Sequence, residues 1–278
     1  MKHPQHILAV EAFPFVKQLG LRNGFNRVRE QEFIDATRLH LISGLRDILD
    51  NRKTGREEIV GLIDYLANLH GIELDYKSVP PINYLGDRTK LQLLPYRVLR
   101  FIIDGVYFYF MYQRGKGVGE SRLAGNDSVG YGGHVDHADL LTIGDMKLLA
   151  SEQGEEIDEI TEEEHSTVDV ISTLTLAGDR EFEQEVILRD AEGNDVTRKL
   201  MPVLFQRFEG LIWDQSNDVG HLHLGIVSII DIPEGITAVP REAQLLPRLS
   251  MTADEILANP AAESWTKIVA KAMLDEAA

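Results

Sequence analysis

The 278-residue chain contains no cysteine. Disulfides, thiolate nucleophiles and cysteine-ligated zinc are therefore excluded, any metal must be held by oxygen or imidazole, and a reducing setting, the cytoplasm, is the expected location. Long apolar runs are also missing. Residues 1–10 carry a lone Lys2 and no sustained apolar run, while the most apolar stretch, 91–112, is broken by Arg97, Arg100, Asp104 and Gly105. Neither a signal peptide nor a membrane span is expected from such segments. Basic residues are scarce: 28 Lys and Arg stand against 45 Asp and Glu, a net charge of -17. That field repels a nucleic-acid backbone, and a small anionic ligand needs a metal or local arginines to offset it. What is abundant is core material, with 44% hydrophobic residues, enough for one large domain or two small ones.

Periodicity divides the chain. An apolar run at 6–12 reads as a strand, and apolar residues at Phe33, Ile34, Leu41, Leu45 and Ile48 predict one helix face over 29–51. A second helix is expected over 56–70, between Gly55 and Gly71, before a loop at Pro80 and Pro81. The stretch PYRVLRFIIDGVYFYFMYQR holds two β-branched and aromatic runs around Asp104-Gly105, which predicts a hairpin of 95–103 and 106–113 with a type I′ turn. The acidic stretch Glu152 to Glu164 reads as a solvated loop or helix surface. KLMPVLFQRFEGLIW and VGHLHLGIVSIIDI read as strands, and a final amphipathic helix is expected over 264–274.

Two stretches carry candidate chemistry. In SVGYGGHVDHADLL, Gly130, Gly132 and Gly133 make either a tight turn or a close backbone approach to a ligand. His134, Asp136, His137 and Asp139 follow at spacings that match no standard metal site, and the two aspartates equally suit capping a helix. In REFEQEV, Glu181 and Glu185 stand four apart, so on a helix they share a face and can hold a hard divalent cation, or simply line a solvated acidic face. The preceding STVDVISTLTL is β-branched enough to be strand, with a helix starting only near Asp179.

A glycine pair followed by Arg180-Glu181-Phe182-Glu183-Gln184-Glu185 resembles the Nudix box, G-x5-E-x7-R-E-U-x-E-E-x-G-U. The wider pattern is similar to a Nudix-related subgroup labelled predicted phosphoesterases. Its marks are Arg114, Glu120, Arg122 and Leu123, the Gly132-Gly133-His134 turn, then Asn217, Val219, Gly220, His223, Leu224 and Gly225, and ESWTKIVA near the C-terminus. The resemblance spans roughly 91–272. It implies an α/β fold, a mixed sheet sandwiched between helices, as a single domain over 1–278 with a helical insertion at 28–71. It also implies a nucleotide-derived substrate and Mg²⁺ or Mn²⁺, the Gly132 carbonyl, Glu181, Gln184 and Glu185 as metal ligands, and catalytic roles for Glu181, Glu185 and Arg180. Arg114, Glu120, Arg122, Gly133 and His134 become substrate contacts. For Arg114 and Arg122, bidentate phosphate contact and exposed ion pairing both fit the residues. A homodimer is compatible.

Two departures stand out. Arg180 follows Gly133 by 47 positions, against fourteen in the box, which implies an insertion at 136–178 within it. Gln184 replaces a glutamate; an amide oxygen can coordinate but brings no charge and no basicity. Asp214 or Asp218 is a candidate replacement ligand, although both also suit a polar turn. His223 suits a packed, hydrogen-bonded core position. The implied reaction is metal-dependent hydrolysis of a phosphoanhydride, and the alternative is a nucleotide-binding or regulatory protein on the same fold. Glu181 and Glu185 are both expected to be solvent-accessible.

Overall fold

A computed structural model describes residues 6–45, 90–115, 124–204, 206–217 and 220–277. Its centre is a mixed sheet built on the long hairpin, β4 (Lys90–Ile103) and β5 (Val106–Arg114). Asp104 and Gly105 have φ of 51° and 81°, the left-handed pair that a type I′ turn demands, and Ile103 opposes Val106 as the sequence predicts. On the other side of β4 runs β10 (His223–Asp231), parallel to it from His223↔Gln92 to Asp231↔Arg100. Both strands are nearly continuous apolar runs because both faces of the sheet are covered there. The order is completed by β9 (Gln206–Trp213) and β2 (Gly24–Asn26) beyond β10, and by β12 (Leu245–Met251) beyond β5. β1 (His6–Glu11) pairs with the start of β4 and with β3 (Leu41–Leu45), while short β6 (Asp127–Ser128) and β7 (Gly130–Tyr131) pair with β5 and β4. A separate antiparallel ribbon joins β8 (Val186–Arg189) to β11 (Thr237–Pro240).

Side-chain alternation along β4 assigns the two layers. Leu91 and Leu93 face a core with Phe15 of α1 (Ala12–Leu19), Phe33 of α2 (Glu30–His40) and Leu174 and Ala177 of a long central helix. Tyr96 and Val98 face the opposite core, closed by the two C-terminal helices 253–258 and 264–277. The predicted sandwich of a mixed sheet between helices is therefore the observed architecture.

Several local expectations need correction. The helix expected over 29–51 stops at His40; Leu41 to Leu45 instead form β3, antiparallel to β1 from Val10↔Leu41 to His6↔Leu45. The β1 edge offers a full ladder to a β-branched and glycine-containing segment, and that outweighs a weak helical periodicity. The start of the helical insertion at 28–71 is thus helix then strand; the helix expected over 56–70 and the loop at Pro80 and Pro81 lie outside the described residues. KLMPV is not strand: it spans the end of a helical turn at 197–200 and a 3-10 turn at 201–203 with Pro202 near its start. Proline has no N–H to give a ladder, and it suits a first helical turn. His221 precedes β10 instead of alternating within it, and its Nε2 contacts the Gln215 carbonyl at 2.7 Å.

The excursion inside the glycine-to-arginine interval closes on itself. It contains α3 (Ile143–Glu152) and α4 (Glu162–Ser166), each opened by a threonine capping box, and a Thr142↔Val168 bridge joins its two ends. It then delivers α5 (Val170–Glu185). Asp169 caps that helix, its Oδ1 accepting from Ser172 N at 3.0 Å, a cap worth about 1 kcal/mol. The helix therefore starts at Val170 and not near Asp179. Its β-branched first turns are poor helix formers, but Val170, Thr173, Leu174, Ala177, Gly178 and Phe182 make one buried stripe, and tertiary burial decides.

Candidate functional site

The last turn of α5 meets the Gly132-Gly133 turn where the chain runs past β4 between β7 and β1. Glu185 Oε2 accepts from Gly132 N at 3.0 Å. A Cβ on Gly133 would stand 2.5 Å from the Glu181 carboxyl carbon, and one on Gly132 would stand 1.8 Å from the Pro95 carbonyl. Gly132 needs glycine because its backbone lies directly against a strand carbonyl, and Gly133 lies directly against a carboxylate. The two stretches singled out in the sequence are thus one place, and the turn is a close approach rather than a free loop.

Arg180 is held by its neighbours in the protein. Its Nε donates to Asp139 Oδ1 at 3.0 Å and its Nη2 to Asp139 Oδ2 at 2.7 Å, a bidentate clamp. Nη2 also reaches the His134 carbonyl at 3.0 Å, and Nη1 makes a short contact with Glu181 Oε1. The hydrogen bonding to Asp139, outweighing the cost of burial, raises the arginine pKa further. Asp139, 4% exposed, also accepts from Asp136 N at 2.8 Å. The two aspartates of the His-Asp cluster thus have structural places: Asp136 opens a 3-10 turn over 137–139, and Asp139 locks Arg180. Among the described residues, no group of three or more acidic or imidazole side chains is placed to hold a metal. Nothing in the sequence spacing singled out Asp139 as the partner of Arg180, because the two are 41 positions apart.

The two carboxylates, expected to be solvent-accessible, are half-buried. Burial raises the Glu181 pKa against the opposing effect of Arg180. Glu185 is pushed up to about 8, mainly by burial, with Arg114 and the Gly132 N–H pulling the other way and Glu181 adding repulsion. A desolvated carboxylate pair of this kind is an oxygen-only site that a hard divalent cation would relieve. The donor set fits Mg²⁺ or Mn²⁺ if a backbone carbonyl of the turn and ligand oxygens complete the coordination. Gln184, between them in sequence, is exposed.

Arg114, at the end of β5, acts electrostatically on Glu185. Its Nε is 3.2 Å from Glu263 Oε2, and the side chain is 20% exposed, so the pair is largely buried and not the exposed pair considered from sequence. Burial opposes its charge, but Glu263, Tyr112 and Glu185 together raise its pKa. Glu120, Arg122 and Asp218 lie outside the described residues. Asp214 is buried in its turn, accepting from Ser216 N at 2.9 Å and Asn217 Nδ2 at 2.8 Å. Burial opposes its charge, and these donors outweigh it, holding its pKa below the usual carboxylate value. That geometry is the polar turn. His134 and His223 meet as an edge-to-face pair with ring centroids 5.4 Å apart, His223 being buried.

No family model matches the sequence. Protein YmaB of Bacillus subtilis (strain 168) is 27% identical over 201 residues, 71% of this chain and 78% of YmaB. Among solved structures, Tm1382, a candidate Nudix hydrolase, superposes with a TM-score of 0.57 at 19% identity, covering 98% of this chain and 99% of its own. The NUDIX domain of Shewanella oneidensis NrtR, solved with ADP ribose, is a weaker likeness, with a TM-score of 0.40 at 13% identity over 77% of this chain and 97% of that domain. Among the described residues no helix is long and apolar enough to cross a membrane. The sheet order, the helix that ends on the glycine turn and the end-to-end match to Tm1382 agree: the chain has the Nudix fold.

Proposed function

We propose that this protein hydrolyses a phosphoanhydride bond in a small nucleotide derivative with the help of Mg²⁺ or Mn²⁺. The observation that supports this most is the convergence of Glu181 and Glu185 on the Gly132-Gly133 turn, with Gly132 N 3.0 Å from Glu185, across an interruption of the box. Glu181 and Glu185, with the Gly132 carbonyl, are the residues that would hold the cation. When bound, the cation supplies charge neutralisation of the diphosphate and polarisation of phosphorus. Arg180 keeps Glu181 in its rotamer and does not face substrate, since Asp139 and the His134 carbonyl take its donors. Glu181, raised by burial yet held beside Arg180, is the group placed to accept a proton from an attacking water. Arg114 brings positive charge to the same edge, and His134 and Gly133 border it. A net charge of -17 makes that local charge necessary for an anionic substrate.

The second reading is a nucleotide-binding or regulatory protein that does not turn over, and Gln184 favours it. One experiment separates the two: dinucleoside polyphosphates, ADP-ribose, NAD and nucleoside triphosphates are incubated with Mg²⁺ or Mn²⁺, products are resolved by mass, and Gln184→Glu is run alongside. Hydrolysis by the wild type is expected. Binding without product in both proteins would establish the second reading.

A further inference from the structure

Glu263 opens the ESWTKIVA stretch and has no role assigned to it so far, yet its carboxylate takes three side-chain donors near the site. It stands just before the C-terminal helix, and its side chain is 5% exposed. One oxygen, Oε2, takes the Arg114 Nε at 3.2 Å; the other, Oε1, accepts from Ser128 Oγ at 2.6 Å and Tyr96 OH at 3.4 Å. Its own N–H donates to the Asp127 carbonyl at 3.0 Å, and Thr266 Oγ1 accepts from Val129 N at 3.2 Å. These partners, Asp127 to Val129, are the residues that lead through Gly130 into the Gly132-Gly133 turn. A single buried carboxylate therefore joins the arginine to the strand that shapes the turn.

We propose that Glu263 is a positioning residue of the phosphate-binding half of this site: it fixes the Arg114 guanidinium beside Glu185, so that a metal-bound diphosphate meets a cation already oriented. The inference rests on the diphosphate reading above and adds a residue to it. A free arginine side chain samples many rotamers, and contacts that hold it in one remove that entropy cost from the binding step. The guanidinium has five donors and the Glu263 contact uses Nε, so the planar fork is oriented by the end nearest the chain. Stability alone is a weak reason for the pair, because a largely buried ion pair often contributes little net stability compared with apolar packing. Arg114 contacts Glu263 directly and feels the charge of Glu185, so the residue that Glu263 holds acts electrostatically on the candidate metal ligand.

The test uses the full chain with saturating Mg²⁺ and methylenediphosphonate, a diphosphate mimic that cannot be hydrolysed, with affinity read by calorimetry and folding by a cooperative melt. Arg114→Gln is expected to lower affinity tenfold or more, Glu263→Gln by a similar factor, and the double variant by no more than either alone. Ser128→Ala, which removes the Ser128 contact to Oε1 and the Gly130 N–H bond to Ser128 Oγ but leaves the Oε2 contact to Arg114, is expected to lower the melting temperature and leave affinity within twofold. Arg114→Lys keeps the charge but not the fork, and is expected to lose affinity as Arg114→Gln does. Losses that multiply in the double variant, full affinity in Glu263→Gln, or wild-type affinity in Arg114→Lys would each overturn the positioning role; the lysine variant decides the matter even if the Glu263 variants fail to fold. A wild-type protein that does not bind the Mg²⁺-methylenediphosphonate pair defeats the diphosphate reading itself, whereas binding that survives Arg114→Gln unchanged defeats the inference alone.

Discussion

Two acidic regions of this protein have opposite fates. Glu152 to Glu164 is the densest run of carboxylates in the chain, and most of it is exposed around the loop between α3 and α4. Where its partners perturb it, they favour charge: Lys147, 2.6 Å from Glu164, and the Thr161 N–H lower the Glu164 pKa. Glu181 and Glu185 are only two carboxylates, but they are half-buried against the turn they touch, and this desolvation raises both pKa values. The density of charge is thus a poor guide to chemistry. Desolvation beside a second carboxylate creates a demand for a cation that no solvated acidic surface has.

The strongest way to break this comparison is to remove a buried carboxylate. Glu181→Gln or Glu185→Gln should lower metal-dependent turnover by about a hundredfold or more, since loss of groups that merely support a metal ligand already costs 10–100-fold. Calorimetry showing unchanged Mg²⁺ affinity in both variants would remove the buried pair as the metal site.

Next in size is the clamp behind Glu181. Arg180→Ala leaves Asp139 buried without its bidentate partner, and a loss of about 3 kcal/mol in unfolding free energy is expected. Asp139→Asn should do less to stability and still weaken turnover, as Glu181 loses a fixed neighbour. Denaturant unfolding and steady-state rates, measured on the same preparations, separate these effects. A rate unchanged in both variants would mean that Glu181 holds its position without Arg180.

A titration sharpens the contrast without mutating the site's partners. Glu185, at about 8 in the folded protein against its ordinary value of 4.5, binds more proton when folded than when unfolded. Its contribution is therefore fully present below about pH 4.5 and is lost as pH rises through 8. Metal-free protein should lose stability across that window, Glu185→Gln should flatten the slope, and Mg²⁺ binding at pH 7 should release protons. A pH-independent wild-type slope between 5 and 8 would contradict the burial of this carboxylate.

The smallest effect belongs to the exposed region. Replacing Glu155, Glu156, Asp158 and Glu159 together with glutamine should change stability by no more than about 0.5 kcal/mol and leave Mg²⁺ affinity intact, as expected for solvated side chains away from the site. A clear loss of metal affinity would show that this loop reaches the Gly132-Gly133 turn.

Much of this was legible in advance, for identifiable reasons. The Asp104-Gly105 hairpin is a local event: two residues that tolerate positive φ between β-branched runs leave few alternatives. The expected strand at 6–12 became β1 and then, from Ala12, a helix that the short apolar run had hidden. The extent of α5 was not readable, because VISTLTL is poor helix material that becomes helical only when its buried stripe finds the sheet. Leu41 to Leu45 went the other way for the same reason, recruited by the open edge of β1.

By itself, the sequence determined the oxygen and imidazole limit on metal ligands, the acidic field, the hairpin and the candidate pair Glu181 and Glu185, because each depends on residue type or on neighbours a few positions away. Only the tertiary structure decided that the glycine turn lies on those carboxylates, that Asp139 clamps Arg180 and that Glu263 meets Arg114, pairs separated by 41 and 149 positions. Burial and long-range pairing are properties of the closed sheet and its two helical layers, and the shifts that distinguish Glu185 from any surface glutamate exist only once that closure has removed water.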